Sequence, residues 1–137
     1  MSTDKHLDGK VALITGASRG IGAAIARGLA ANGIHVILIA RTIGALEERD
    51  DEIPISGGSS TLVPLDLLDF PAIERLGATI FERWGKLDIL ISNAAMLGKL
   101  TPLHHYDPST WDNVINLNLI ANPVSYTHLT LPTNACV

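Results

Sequence analysis

The fold of this chain is decided by the stretch ITGASRGIGAAIA, which runs from Ile14 to Ala26. A short apolar run ends at its start, and a helical pattern begins inside it, with glycines at 16, 20 and 22 between the two. Gly16 permits a sharp turn, Gly20 lets a pyrophosphate approach the backbone, and Gly22 lets the helix pack closely on the sheet. Because a helix N-terminus attracts phosphate, this stretch predicts a dinucleotide site. The alternative is a glycine turn that serves packing alone.

The rest of the chain alternates short apolar runs with longer helical patterns. Runs of strand length, rich in Val, Ile and Leu, occupy 11–15, 35–39, 61–65 and 87–92. Helical patterns occupy 21–32, 43–52 and 70–84, and a last one starts near Pro108. In the first helix Ile21, Ile25 and Leu29 recur at every fourth position, with alanines filling the packed face. Near-continuous apolar strands alternating with helices predict an α/β fold, a parallel sheet with helices on both faces.

Composition and charge narrow the class of protein. The 137 residues, 47% of them hydrophobic and 18% charged, suit one soluble globular domain. The net charge of −4, without a basic stripe, argues against nucleic acid or a membrane surface as partners. Cys136 is the only cysteine, which excludes an internal disulfide. Because the polar N-terminus lacks a signal-peptide core and no apolar run reaches the ~18 residues of a membrane span, we expect a cytoplasmic protein.

Four motifs resemble those of the short-chain dehydrogenase/reductase family, in the same order. The spacing Thr-Gly-x-x-x-Gly-x-Gly resembles its cofactor loop, and LDLLD at 65–69 is similar to its adenine-contacting segment, with Asp66 at the matching position. ISNAA at 91–95 resembles its Asn-Asn-Ala-Gly motif, with departures at Ser92 and Ala95. WDNVINLNL at 111–119 is similar to the segment holding its active-site asparagine, here Asn118. The resemblance covers Lys10 to about Asn122.

The resemblance implies a Rossmann-like fold that stops after about four strands, with 1–123 as an incomplete NAD(P)-binding domain. It implies Asn118 as a catalytic residue. The cofactor-binding residues that it implies are Thr15, Gly16, Ser18, Arg19, Gly20, Ile21, Gly22, Arg41, Asp66, Leu67, Asn93, Ala94 and Ala95. Two alternatives stay open, because Asn93 can serve to tie two strands together and Asn118 can be a polar residue at a helix kink.

The residues after the second strand favour NADP over NAD. NAD-selective enzymes usually place an acid there to bind the ribose hydroxyls, whereas NADP requires positive charge for its 2′-phosphate. Here Ala40 stands at the acid's position and Arg41 follows it, while Arg19 in the glycine loop offers a second guanidinium. Arginine's planar fork suits phosphate oxygens. The alternative is that Arg41 faces solvent without a ligand.

Ser125 and Tyr126 do not fit the family's catalytic pair. In the family a hydride passes between the nicotinamide and a carbonyl or alcohol carbon, while a tyrosine hydroxyl transfers the proton. A phenol has a pKa of ~10, which a lysine four residues later lowers. Four residues after Tyr126 stands Thr130, and neither lysine nor arginine follows Lys99. We therefore expect the 137-residue chain to be inactive.

The last residues, 124–137, look foreign to the domain. VSYTHLTLPT resembles one reading frame of a transposon-end adapter used in preparing DNA for sequencing. The segment is uncharged, and Pro123 just before it and Pro132 within it interrupt a helix that should continue past Asn122. We expect it to be non-native, and the competing hypothesis is a naturally short protein with an unusual tail.

The sequence thus predicts an NADP(H)-dependent oxidoreductase for small carbonyl or alcohol substrates, whose full-length form is a homo-oligomer by resemblance. The alternative is a non-catalytic NADP(H)-binding module. The glycine spacing argues against a nucleotide-sugar epimerase of the family's extended branch. No metal is expected, because the acidic run at 47–52 suits a solvated helix face and the adjacent side chains of His104 and His105 should diverge in a loop.

Overall fold

The computed structural model describes residues 7–17, 20–42, 44, 47 and 58–121. Strands are β1 (Val11–Thr15), β2 (His35–Ala40), β3 (Ser59–Pro64) and β4 (Ile89–Ile91). Helices are α1 (Gly20–Ala31), α2 (Phe70–Trp84) and α3 (Pro108–Ile115); a 3₁₀ turn spans Leu103–His105, and a π-helical segment, Asn116–Ile120, continues α3. The helix predicted over 43–52 falls almost entirely outside the described residues.

The four strands form one parallel sheet in the order β3-β2-β1-β4. This confirms the parallel α/β sheet that the sequence predicts. All five residues of β1 are buried, because it lies between β2 and β4. β3 begins two residues earlier than the apolar pattern indicates, since the polar residues Ser59 and Ser60 pair with His35 and Val36 of β2. Backbone pairing, rather than hydrophobicity, sets that boundary.

Helices cover both faces of the sheet. On one face α1 packs over Ala12, Ile14, Val36 and Leu38, and on the other α2 packs over Val11, Leu13, Ile37 and Ile39. The buried surface of α1 is made of the small residues Gly22, Ala23, Ala26 and Ala30, which confirms the predicted alanine-filled face. Ile21 is 72% exposed, so it takes no part in that packing.

Local signals at both ends explain why α2 has the predicted bounds. The Asp69 carboxylate accepts a hydrogen bond from Ala72 N, and Pro71 lies in the first turn. At the other end Gly85 has a φ of +72° and donates its N–H to Phe81 O at 2.8 Å. Because both caps come from residues at the helix ends, the bounds of α2 can be predicted from the local sequence.

The helix predicted to start near Pro108 is confirmed, but its apolar residues are not buried. α3, the π-helical segment and Ala121 together form a C-terminal arm. Trp111, Ile115 and Leu119 are 50%, 40% and 61% exposed, and the first buried residue of this arm is Ala121. The arm therefore touches the sheet mainly through its C-terminal part. Among the described residues, no helix combines the length and apolarity that crossing a bilayer demands.

Candidate functional site

A cleft of about 880 Å³ opens at the carboxyl ends of the strands. β1 lies between β2 and β4, so the chain moves outward to β3 and then returns to the other side of β1. Open α/β sheets bind ligands at such a reversal. The cleft is lined by Gly16, Gly20, Ile39, Ala40, Arg41, Thr42, Leu65, Asp66, Leu67, Leu68, Asn93, Ala94, Ala95, Met96, Asn113 and Leu117.

The glycines that follow β1 have the geometry expected from the sequence. Gly16 has a φ of +63°, and a Cβ on it would lie 2.9 Å from Ala94 Cα. A Cβ on Gly22 would meet the Gly16 carbonyl and lie 2.6 Å from Asn93 Nδ2. Nothing lies within 4 Å of a Cβ on Gly20, which lines the open cleft. Two glycines thus allow close packing at the base of the cleft, while the third leaves its backbone accessible.

Thr15 and Asn93 fasten the ends of β1 and β4 together. The Thr15 hydroxyl, which is buried, donates to Ile91 O at 3.4 Å and accepts from Asn93 N at 3.0 Å and Ala94 N at 3.1 Å. Asn93 Nδ2 donates to Gly16 O at 3.1 Å. Asn93 therefore ties two strands together, as one sequence-based alternative proposes, and also lines the cleft. Thr15 itself is buried and does not line the cleft; it holds in place the backbone of Asn93 and Ala94, which do.

Arg41 and Asp66 face the cleft from the ends of β2 and β3. Both side chains are exposed and line the cleft. Asp66 Oδ1 accepts a hydrogen bond from Leu68 N at 3.0 Å, which orients the carboxylate, and Leu67 is buried beside it. Ala40, where an acid would stand in an NAD-selective site, also lines the cleft. The described residues directly after β2 thus bring a positive charge and no carboxylate.

Asn118 holds the loop that follows β4. Its Oδ1 accepts from Met96 N at 2.9 Å, and its Nδ2 donates to Met96 O at 2.8 Å. It lies within the π-helical segment, a distortion that occurs frequently at functional sites. Because Met96 lines the cleft, Asn118 acts on the cleft wall through the backbone of Met96.

Other predicted residues lie beside the cleft or beyond the described part of the chain. Ile21 is the second residue of α1 and is exposed. Ser18, Arg19, Ser125 and Tyr126 lie outside the described residues.

Several cleft residues are not among the predicted site residues; three of them are Met96, which follows ISNAA, and Asn113 and Leu117, which lie within WDNVINLNL. Met96 and Leu117 are apolar residues next to recognised motif positions, and Asn113 lies one helical turn before Leu117. The i, i+4 spacing of Asn113 and Leu117 is the only sequence signal that relates them.

The histidines contribute no site of their own within the described residues. His104 and His105 lie in a 3₁₀ turn, and their rings meet edge-on at 4.2 Å, so the expectation that they diverge was wrong. Side-chain directions in so short a turn are set by ring contact as well as by backbone geometry. His35 opens β2 and is structural, since its ring nitrogens pair with Ser59 Oγ and Thr61 Oγ1, each at 2.8 Å. Among the described residues no group of three or more potential metal ligands occurs.

The parallel sheet, the glycine turn and the cleft at the strand ends together define a Rossmann-type NAD(P)-binding domain. A family model described as short chain dehydrogenase matches residues 10–133. The chain belongs to the short-chain dehydrogenase/reductase family, whose members are oxidoreductases. The match continues past residue 123, and the non-native origin of 124–137 stays a prediction.

Known proteins similar to the chain are longer than it. A fatty acyl-CoA reductase of Acinetobacter baylyi is 48% identical over 90 residues, which are 66% of this chain and 30% of that protein. A metagenomic short-chain oxidoreductase in complex with NADP is 37% identical, with a TM-score of 0.87 over 92% of this chain and 57% of that one. An NAD⁺-bound xylitol dehydrogenase is 26% identical, with a TM-score of 0.84 over 91% of this chain and 48% of that one. The chain therefore spans less than two thirds of each.

Proposed function

We propose that this chain is the dinucleotide-binding part of an NADP(H)-dependent oxidoreductase that acts on a small carbonyl or alcohol substrate. The observation that carries the proposal is the cleft itself, in which the exposed backbone of Gly20 and the Asn93–Ala95 wall meet at the reversal of the sheet. Its volume of about 880 Å³ falls within the range of roughly 300–1,000 Å³ that ligand pockets span.

Different residues of the cleft suit different parts of an adenine dinucleotide. The backbone at Gly16 and Gly20 and the N-terminus of α1 suit a pyrophosphate, because unpaired N–H groups and partial positive charge gather there. The Asp66 carboxylate, held by Leu68 N, suits the amino group of adenine as an acceptor. When bound, the nicotinamide supplies the hydride chemistry.

We propose that Arg41 selects NADP over NAD. Its guanidinium lines the cleft at the end of β2, and no ion pair engages it within the described residues. A 2′-phosphate adds charge that arginine binds bidentately, whereas the ribose hydroxyls of NAD offer it little. The NADP complex of the metagenomic relative supports this proposal, and the NAD⁺-bound relative shows that the fold accommodates both cofactors.

Catalysis by these 137 residues alone is not proposed. Asn118 is the proposed catalytic residue of the family's set, and its hydrogen bonds to Met96 position the wall of the cleft. No lysine follows Tyr126, so the chain carries no Tyr-x-x-x-Lys pair at its C-terminal end. The alternative is a non-catalytic NADP(H)-binding module.

Calorimetric titration of the 137-residue chain with NADPH and NADH tests the proposal. We expect NADPH to bind more tightly, and Arg41→Ala to lose most of that preference while NADH binding changes little. Arg27→Ala, an exposed arginine of α1 that does not line the cleft, is the matched control. Equal affinity for both dinucleotides would contradict NADP selection, and no binding of either would contradict the proposed function. Carbonyl reduction by the purified chain would contradict its expected inactivity.

A further inference from the structure

Asn113 places a polar side chain at the cleft, at a position of the WDNVINLNL segment to which the sequence analysis assigns no role. It lies on α3 one turn before Leu117, and both side chains line the cleft. The Asn113 side chain is exposed, and within the described residues no hydrogen bond engages its amide. Its donor and acceptor are therefore available to whatever the cleft holds.

The residues that follow β3 line the same cleft as Asn113. Leu67 is buried in the apolar cluster on the α2 face of the sheet, and Leu117 packs against the same cluster. Asp66 and Asn113 line the same cleft as Leu67 and Leu117. A cleft lined by both apolar and polar side chains suits an aromatic heterocycle whose faces are apolar and whose edge is polar.

We propose that Asn113 recognises the edge of the adenine base, together with Asp66. An ionised carboxylate only accepts hydrogen bonds, whereas an amide both donates and accepts. Adenine presents an amino donor beside the ring-nitrogen acceptor N1, and an asparagine amide has the acceptor and donor to pair with both. Asn113 Oδ1 accepts one amino hydrogen, Nδ2 donates to N1, and Asp66 accepts the second amino hydrogen. The inference rests on the proposed function only in requiring an adenine dinucleotide, and it holds for NAD and NADP alike.

The test combines a change in the protein with a change in the ligand. The wild-type chain and Asn113→Leu are titrated with NADP⁺ and with its 1,N⁶-etheno derivative, in which the amino group and adjacent ring nitrogen are blocked. Asn116→Leu, the same substitution on a side chain that does not line the cleft, is the control. We expect Asn113→Leu to weaken NADP⁺ binding about fivefold to a hundredfold, the effect of two lost hydrogen bonds. Binding of the etheno derivative should stay within about twofold, because the interaction is already absent there.

The outcomes separate this inference from the proposed function. Equal weakening of both ligands by Asn113→Leu would assign the residue a merely structural role, and no weakening of either would remove it from recognition; each overturns the inference alone. If the wild-type chain binds neither NADP⁺ nor NAD⁺, the proposed function fails and the inference fails with it. The thermal unfolding midpoints of both variants are measured in parallel, and a midpoint that falls for Asn113→Leu but not for Asn116→Leu also counts against recognition.

Discussion

Asn118 and Met96 are joined by two hydrogen bonds that run in opposite directions between one side-chain amide and both polar backbone groups of a single residue. They are 22 residues apart, and the pairing attaches the loop after β4 to the π-helical segment. Since Met96 lines the cleft, this contact makes the cleft wall depend on the position of the last helical arm.

Replacing Asn118 by alanine should lower the free energy of unfolding by about 1–3 kcal/mol, because two hydrogen bonds to Met96 are lost. Asn113→Ala is the matched control on the same arm, and its amide makes no hydrogen bond within the described residues; we expect a change of less than about 0.5 kcal/mol. Urea denaturation measures both. Equal effects of the two substitutions would show that the Asn118–Met96 contact contributes nothing.

Gly22→Ala should destabilise the chain and weaken dinucleotide binding, because the added Cβ would meet the Gly16 carbonyl and the Asn93 amide. Gly28→Ala lies on the same helix with nothing within 4 Å of the new Cβ, and should stabilise by about 0.5–1 kcal/mol through helix propensity. Unfolding curves of the two variants should therefore shift in opposite directions. NADPH titrations should show weaker binding for Gly22→Ala. A stabilising Gly22→Ala would contradict the close packing.

Thr15→Val should cost about 2–4 kcal/mol of unfolding free energy, because the methyl group that replaces the hydroxyl leaves Asn93 N and Ala94 N without their acceptor. Thr15→Ser keeps the hydroxyl and should recover most of the loss. Thermal unfolding gives the comparison. If serine fails to recover more stability than valine, packing of the Thr15 methyl outweighs the hydrogen bonds.

Acidification should destabilise the chain through His35. Burial, and then the positive charge of Arg83, hold the pKa of His35 below its ordinary value of 6.5. The unfolded chain therefore binds the proton more readily than the folded chain. The contribution of His35 to the free energy of unfolding is fully present above pH 6.5 and is lost as the pH falls toward the lowered pKa. The ring's hydrogen bonds to Ser59 and Thr61 and its contact with Trp84, 5.3 Å between centroids, keep it in this setting.

Urea denaturation between pH 5 and 8 measures the His35 effect. His35→Gln should flatten the pH dependence in that window, while His104→Gln, at an exposed ring, should leave it as in the wild type. Stability that rises on acidification, or a His35→Gln profile identical to the wild type, would contradict the assignment.

Local signals in the sequence determined several secondary-structure elements of this protein and their ends. Apolar runs and glycines placed β1, α1 and the turn between them, and caps at Asp69 and Gly85 set both ends of α2. These features arise within a few residues of chain, so periodicity and turn chemistry are enough to predict them. The motifs likewise placed Gly16, Gly20 and the 93–95 segment in one cleft, because parallel strands bring their carboxyl ends together.

Only the tertiary structure decided which polar groups meet across the chain. Thr15 forms hydrogen bonds with residues 78 and 79 positions away, and Asn118 forms them with Met96. β3 begins at Ser59 because Ser59 pairs with His35 of β2. Asn113 lines the cleft only because the fold brings α3 next to the residues that follow the strands. Such contacts depend on how separate elements pack together, and sequence spacing carries little information about them. Sequence alone thus predicted where the cleft lies, and packing decided which side chains hold its walls.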